Sequence, residues 1–389
     1  MKRLLVITTL YPNSAQNRHG IFVETRLRHL LATGKITATV VAPVPWIPFK
    51  TKLSSSYAGY SDIPRQTERK GITVYHPRYL VIPKIGMLFT PFFMALSLWF
   101  TICKLRSTGL EYDLVDGHYY YPDGVAIALI GKWLGKPFTV TARGTDINLI
   151  PRHTIPRKMI LWAANKAAAS ITVCRALKDE MVDLGADESK IHIFRNGVDL
   201  QLFTPLNREL CRGKFRLTST TLLSVGHLIE RKGHDLVIQA MSDLPECKLL
   251  IAGDGEKESQ LRQLVDDLGV HDRVVFLGAV TQQELAEIYS AVDIMVLASS
   301  REGWANVLLE SMACGTPVVA SSIWGTPEVV AAPEAGLLFK PRSPEAIATS
   351  VKQLLANYPD RAMTRKYAER FSWDDTVNGI LRLFDKIAA

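Results

Sequence analysis

A chain of 389 residues is too long for one compact core and suits two domains of ordinary size. Its 47% hydrophobic and 22% charged residues, with no low-complexity tract, exclude a disordered or fibrous protein. The formal net charge of +8 favours acidic partners, whether phosphates of a small ligand, anionic lipid headgroups or nucleic acid.

In chain order, the opening MKRLLVITTLYPN has too short an apolar run for a signal peptide, and residues 3–8 read as a first β-strand. Gly20 precedes a helix-like stretch, residues 21–30, where a glycine lets a helix N-terminus approach a donor phosphate. Residues 38–42, ATVVA, read as the next strand. Residues 85–103 carry no charge and are flanked by Lys84 and Lys104, a length that nearly spans a bilayer. Spanning would put the first strands and the strand near Asp113 to Asp116 on opposite sides of the membrane, where they cannot share a sheet, so a transmembrane helix is rejected. Two readings remain: a helix buried in the first lobe, or one resting an apolar face on an anionic membrane. In the second, Lys50, Lys52, Arg65, Arg69, Lys70, Lys104 and Arg106 ring the contact.

Residues 113–118 form a further strand. The following GHYYYPDG offers His118 and Tyr119 for contacts with acceptor hydroxyls, although a lone histidine also serves as a structural residue. FTVTA ends in Ala142-Arg143-Gly144-Thr145-Asp146. Arg143 is a fixed cation able to bind a phosphate or carboxylate, or to form a structural ion pair, and Asp146 either holds Arg143, caps the turn or meets the acceptor. After the SITV strand, residues 196–217 look like a connector, and the strand pattern restarts at Thr221. TLLSVG, KLLIAG, RVVFLG, DIMVLAS and PVVAS then alternate with helical patterns. Their nearly continuous apolar runs indicate parallel strands covered by helices on both faces. The expected fold is therefore α/β, with two Rossmann-like, doubly wound parallel-sheet domains facing each other across a cleft. Residues 1–200 form the acceptor lobe, 201–372 the donor lobe, and a last helix, about 373–389, packs back on the first.

Ligands of such sheets bind beyond the carboxyl ends of strands. Arg231 and Lys232 stand there in SVGHLIERKGHD, two cations suited to a leaving diphosphate, with Gly226 and His227 earlier in the same loop. After the strand at residues 293–298 comes REGWANVLLESMACGTPVVAS. Its helix begins near Ala305, is stopped by Gly315 and Pro317, and presents N-terminal amides to an anion. Glu302 and Glu310 are spaced so that one carboxylate reaches sugar hydroxyls and the other ribose hydroxyls.

This last stretch resembles the signature of the family 4 retaining glycosyltransferases, including members of bacterial polysaccharide and lipid-sugar biosynthesis, with Trp304 where the family usually has Phe. The loop with Lys232 is similar to the family's diphosphate loop, with His227 where Arg is usual, and Arg143 stands where the family commonly has His. Asn196-Gly197-Val198-Asp199, Gly253-Asp254-Gly255, Phe276-Leu277-Gly278 and Gly325-Thr326-Pro327-Glu328 match in order over almost the whole chain. The resemblance implies the GT-B architecture. It also implies Glu302 and Gly303 at the donor sugar, Glu310 at the ribose, the amides of Asn306, Val307 and Leu308 at the diphosphate, and Gly278 to Val280 at the base.

The function expected is transfer, with retention, of a hexose-type sugar from a nucleotide sugar such as a UDP- or GDP-sugar to a saccharide or lipid-linked acceptor. Arg231, Lys232, Glu302, His118 and Arg143 carry the chemistry. No cofactor is expected and a metal is not required, since no Asp-x-Asp follows a suitable strand. Five scattered cysteines without metal-ligand spacing point to reduced thiols in a cytoplasmic protein, peripheral on the inner face of the plasma membrane if the apolar helix meets lipid. The alternatives are a sugar-nucleotide epimerase or phosphorylase of the same architecture, or a non-catalytic nucleotide-sugar-binding protein. A dehydrogenase lacks its G-x-G-x-x-G turn, and no basic-aromatic module points to nucleic acid.

Overall fold

The computed structural model describes residues 1–47, 59–82 and 86–388, so Lys50, Lys52, Lys84 and Ile85 lie outside the described residues. The chain forms two compact units, residues 1–195 with 375–389, and residues 196–374.

The first unit contains β1 (Lys2–Ile7), β2 (Ile36–Val41), β3 (Val44–Trp46), β4 (Gln66–Arg69), β5 (Ile72–Tyr75), β6 (Arg78–Leu80), β7 (Leu114–His118), β8 (Phe138–Ala142), β9 (Ala169–Thr172) and β10 (Ile191–Ile193). Eight of these form one sheet in the order β10-β9-β8-β7-β1-β2-β5-β4, while β3 and β6 pair separately. Pairing in the large sheet is parallel except between β4 and β5. Successive side chains of a strand point to opposite faces, yet Leu4, Leu5, Val6 and Ile7 are all buried, so both faces of β1 are covered. Strand order reverses at β1, with β2 on one side and β7 on the other, which puts the ligand-binding edge of this sheet beyond the carboxyl ends of β1 and β7. From the C-terminal helix, Trp373–Ile387, Leu383 packs on Ala169 and Ile171 of β9.

The uncharged stretch forms the helix Gly86–Ser107, with Pro91 inside its first turns. One face, carrying Pro91, Met94, Ala95, Leu98, Ile102 and Leu105, is buried. The other leaves Phe89, Phe92, Leu96 and Phe100 exposed by 49%, 46%, 52% and 60%. In the chain this helix lies between β1 and β7, which pair directly from Leu4↔Leu114 to Ile7↔Gly117, so it cannot carry the chain across a bilayer. Two of the cations expected around it are committed elsewhere: Arg69 and Lys70 reach the buried Glu24 carboxylate at 2.5 and 3.6 Å.

The second unit contains β11 (Thr220–Val225), β12 (Cys247–Ala252), β13 (Val274–Gly278), β14 (Ile294–Leu297), β15 (Val318–Ser321) and β16 (Gly336–Phe339). All pairs are parallel, in the order β13-β12-β11-β14-β15-β16. Counted from its own first strand this is 3-2-1-4-5-6, the Rossmann order, with its switch point between β11 and β14. Two glycines let the loop after β11 close on its neighbours. Gly253, at φ 145°, comes so near Gly226 that a Cβ would stand 1.9 Å from the Gly226 carbonyl oxygen. Gly233, at φ 70°, has the Ala298 carbonyl oxygen 2.2 Å from where its Cβ would be, which draws the β11 loop onto the end of β14.

A side chain at Gly233 meets both a left-handed backbone and a rigid carbonyl, so Gly233→Ala costs more than about 1 kcal/mol. Gly213→Ala, placed in the helix Arg208–Lys214 with no atom within 4 Å of the new Cβ, is neutral or stabilising. Thermal unfolding of the two variants checks the contrast, and equal midpoints would refute the account of how this loop is held.

Candidate active site

At the switch point of the second unit, the loop after β11 supplies Arg231 and Lys232 and the loop after β14 supplies Glu302. Lys232 Nζ donates to Glu302 Oε1 at 2.6 Å, Ser299 Oγ donates to the same oxygen at 2.7 Å, and Arg231 Nη1 stands 3.6 Å from Oε2. Burial of Glu302 alone would raise its pKa, but the charges of Lys232 and Arg231 and the hydrogen bonds from Lys232 and Ser299 outweigh it and hold the carboxyl below its usual range. The loops are tied by backbone as well. Ser300 N–H donates to the Arg231 carbonyl at 2.8 Å, and Arg231 Nη1 to the Arg301 carbonyl at 2.8 Å. The Lys232 stem packs on Gly226, whose φ is 142°. His227, by contrast, is exposed and lies 3.7 Å from Asp254.

The helix after this loop runs Asn306–Ala313, and Gly315 at φ 82° follows its end. Its N-cap, Ala305, has no side-chain oxygen to cover the first amides. Asn306 N–H and Leu308 N–H donate to the Trp304 and Ala305 carbonyls at 3.1 Å each, so of the three amides expected at a diphosphate, two already make turn bonds, and Val307 lies between them. Gly303 and Trp304 are buried, the indole 6.1 Å from the Phe371 ring. Glu310 accepts from Tyr289 Oη at 3.4 Å, and burial pushes its carboxyl up to about 7. Gly278, at φ 69°, accepts from Gly253 N–H at 2.8 Å and places the half-buried Val280 just beyond the end of β13.

In the first unit, Gly20 caps the helix Ile21–Ala32 at φ 67°, where a Cβ would stand 2.2 Å from the Leu10 carbonyl oxygen. At the carboxyl ends of β7 and β8 a buried polar network joins His118 and Arg143 to Asp116, Thr141 and Arg26. Arg26 Nη2 donates to both Asp116 oxygens at 3.0 and 2.7 Å, and Arg26 Nη1 to Thr141 Oγ1 at 2.8 Å. His118 Nε2 is 3.3 Å from Asp116 Oδ2, and Arg143 Nη2 is 2.6 Å from His118 Nδ1. Arg143 also lies over the Phe22 ring, 5.1 Å from its centroid. Burial of Asp116 is overcome by Arg26, His118 and Arg143, which keep it ionised. The signal available in the sequence was a charge at a core-facing position in each of two elements, Arg26 one turn from Val23 and Leu30 on the helix, and Asp116 in the strand LVDGH.

Asp146 is fully buried and accepts from the N–H groups of Tyr120 (2.8 Å), Arg143 (3.0 Å) and Gly144 (2.8 Å). Its carboxylate shapes the loop after β8 and has no oxygen at the surface, which corrects the expected acceptor contact. His118, 2% exposed, likewise offers no ring nitrogen at an edge. Tyr119 keeps partial exposure at φ 75°, its N–H bonded to the Thr141 carbonyl at 2.8 Å. Asp123 accepts from Thr9 N–H at 2.6 Å and joins the loops after β1 and β7, with burial pushing its carboxyl up to about 8.

With this geometry established, similarity to known proteins places the chain. Residues 23–202 match the family described as Glycosyltransferase Family 4, and residues 210–371 match Glycosyl transferases group 1. A D-inositol 3-phosphate glycosyltransferase of Mycobacteroides abscessus is 34% identical over 316 residues, covering 75% of this chain and 70% of that protein. Among solved structures, a sucrose-phosphate synthase from Thermosynechococcus elongatus superposes with a TM-score of 0.78 at 20% identity, covering 99% of both chains. Anabaena HepE in complex with UDP-glucose superposes at 0.73 and 18% identity, covering 99% of this chain and 100% of that one. The fold is therefore that of the two-Rossmann GT-B proteins, and the chain belongs to the family 4, group 1 glycosyltransferases, as a nucleotide-sugar-dependent enzyme.

Proposed function

We propose that the protein transfers a hexose from a UDP-sugar, with retention of configuration, to a lipid-linked saccharide bearing an anionic group, on the cytoplasmic face of a membrane. The Lys232–Glu302 contact carries the donor half of this reading, because it sets two cations and one carboxylate at the switch point of a Rossmann sheet. Arg231 and Lys232 neutralise the diphosphate as the bond from its oxygen to the anomeric carbon breaks. Glu302 Oε2, beyond hydrogen-bond distance of Arg231, takes a hydroxyl of the sugar and orients the anomeric carbon. The acceptor oxygen then attacks the face the diphosphate leaves, and its proton passes to the departing phosphate oxygen. Glu310 accepts the ribose hydroxyls. The UDP preference is supported by HepE, whose structure holds UDP-glucose.

The acceptor half rests on two features of the first unit. Arg143 puts a guanidinium at the carboxyl end of β8, and a relative is named for D-inositol 3-phosphate, itself an anion. The exposed stripe Phe89, Phe92, Leu96 and Phe100, extended by Trp133 at 63% exposure and followed by Lys104 and Arg106, has the make-up of a surface that rests on anionic lipid.

Lys232→Ala and Glu302→Ala each lower turnover of a UDP-sugar by about 10²-fold or more, as expected for losing a few kcal/mol of transition-state stabilisation. Native turnover persists in EDTA, because the cations at the diphosphate are side chains. Near-native rates in both variants would reject the donor half. For the membrane, native protein floats at low salt with vesicles of phosphatidylcholine and phosphatidylglycerol, while Phe92→Asp/Phe100→Asp stays below. Native protein that fails to float removes the peripheral-membrane reading.

A further inference from the structure

Asp116 and His118 are two positions apart on β7, so their side chains share a face of the sheet, and both are 2% exposed at the side chain. From the helix Ile21–Ala32, Arg26 grips Asp116 through one guanidinium nitrogen at 3.0 and 2.7 Å. Thr139 Oγ1 donates to the same carboxylate at 3.1 Å. The ring of His118 then stands between this anchored carboxylate and the guanidinium of Arg143.

The chemistry of the two neighbours fixes the proton on that ring. A guanidinium only donates, so the 2.6 Å contact from Arg143 Nη2 requires an unprotonated Nδ1. The proton of the neutral imidazole therefore sits on Nε2 and points at Asp116 Oδ2, 3.3 Å away. Both nitrogens are consumed inside the protein, which leaves neither to exchange a proton with an acceptor hydroxyl. The charged groups facing the ring are Asp116 on its own strand, Arg26 from the helix and Arg143 from the loop after β8. Burial, reinforced by the two arginines and opposed by Asp116, pushes the imidazole down to about 3.

We propose that His118 is a positioning residue that acts through Arg143: held by Asp116 and Arg26, its neutral ring fixes the Arg143 guanidinium at the end of β8 for the anionic group of the acceptor. This rests on the anionic-acceptor reading above. The chain Arg26–Asp116–His118–Arg143 ends on Arg143, the one of the four that is not buried. The Phe22 ring, 5.1 Å from the guanidinium carbon, packs on it from another side, and the backbone N–H of Arg143, bonded to Asp146 at 3.0 Å, anchors the main chain from which the side chain leaves. A fixed guanidinium loses less conformational entropy on binding an anion than one that must be ordered by the ligand.

The test uses the full chain, with nitrogen-resolved NMR of the His118 ring and of the Arg143 Nε–H group, and inorganic phosphate as the probe. The ring is expected to stay in the neutral Nε2–H form from pH 8 to pH 5. A His118 signal titrating near 6.5 overturns the proposal. Phosphate shifts the Arg143 signal in native protein and in His118→Gln, whose amide offers an oxygen to Arg143 and an N–H to Asp116. In His118→Leu the same response needs roughly tenfold more phosphate, the loss expected for one charge-assisted hydrogen bond. An unchanged response in His118→Leu overturns the positioning role while leaving the acceptor reading intact. Absence of any phosphate response in native protein removes the acceptor reading and the proposal together. If His118→Leu does not fold, His118→Asn, whose shorter amide reaches only one of the two partners, takes its place with the same outcomes.

Discussion

The second unit of this protein depends on one ion pair. Glu302 is almost wholly removed from water, and a carboxylate in that position persists only because Lys232 at 2.6 Å and Arg231 at 3.6 Å repay its desolvation. The pair bridges the loops that leave the two strands flanking the switch point, so the same contact that balances the charge also fixes the spacing of β11 and β14 loop residues. Gly233 is needed for the same reason, since any Cβ there would push the loop off the Ala298 carbonyl. Breaking one side of a buried pair leaves the other uncompensated, at a cost of about 3–5 kcal/mol. A substitution here therefore acts on the shape of the loops as well as on binding.

The first unit solves a related problem differently. Its network holds two arginines around one firmly ionised carboxylate, Asp116, with a neutral histidine between the carboxylate and the second cation. Asp123, pushed up to about 8 by burial, adds little negative charge near neutrality, and the carboxylate of Asp146 is spent on three backbone N–H groups. Of these charged groups Arg143 alone keeps partial exposure, so the charge that this network turns outward is a guanidinium.

The sequence was most informative where structure is local. Continuous apolar runs such as LLVI and LLIA exist because strands covered on both faces need apolar residues at every position, and that pattern is visible without knowing what covers them. The places of Glu302 and Lys232 after strands and of Gly315 at a helix end were legible because each is set by the elements next to it in sequence. The burial of His118 was not: Arg143 at one ring nitrogen and Asp116, gripped by Arg26, at the other are brought to it by tertiary contact, and a titratable residue after a strand reads as a ligand contact until such partners are known. For Asp146 the turn-capping reading was local, since two of its donors are the N–H groups of Arg143 and Gly144, and only the Tyr120 N–H comes from elsewhere. The ion pairs of Arg69 and Lys70 were hidden as the burial of His118 was, since Glu24, which both reach, is distant in sequence.

The helix Gly86–Ser107 shows how topology decides a question that composition leaves open. Its length and lack of charge satisfy the requirement for a membrane span. β1, earlier in the chain, and β7, which follows the helix, are hydrogen-bonded neighbours in one sheet, however, so the chain must return to the side it left. The inner face is used up by packing through Met94, Leu98 and Ile102. What remains is a row of aromatic and aliphatic side chains at positions 89, 92, 96 and 100, spaced to lie along one side of a helix and half in water. Solvation would favour polar residues on such a face, so four large apolar groups kept there represent a cost borne by the isolated chain, and that cost is recovered only against an apolar surface.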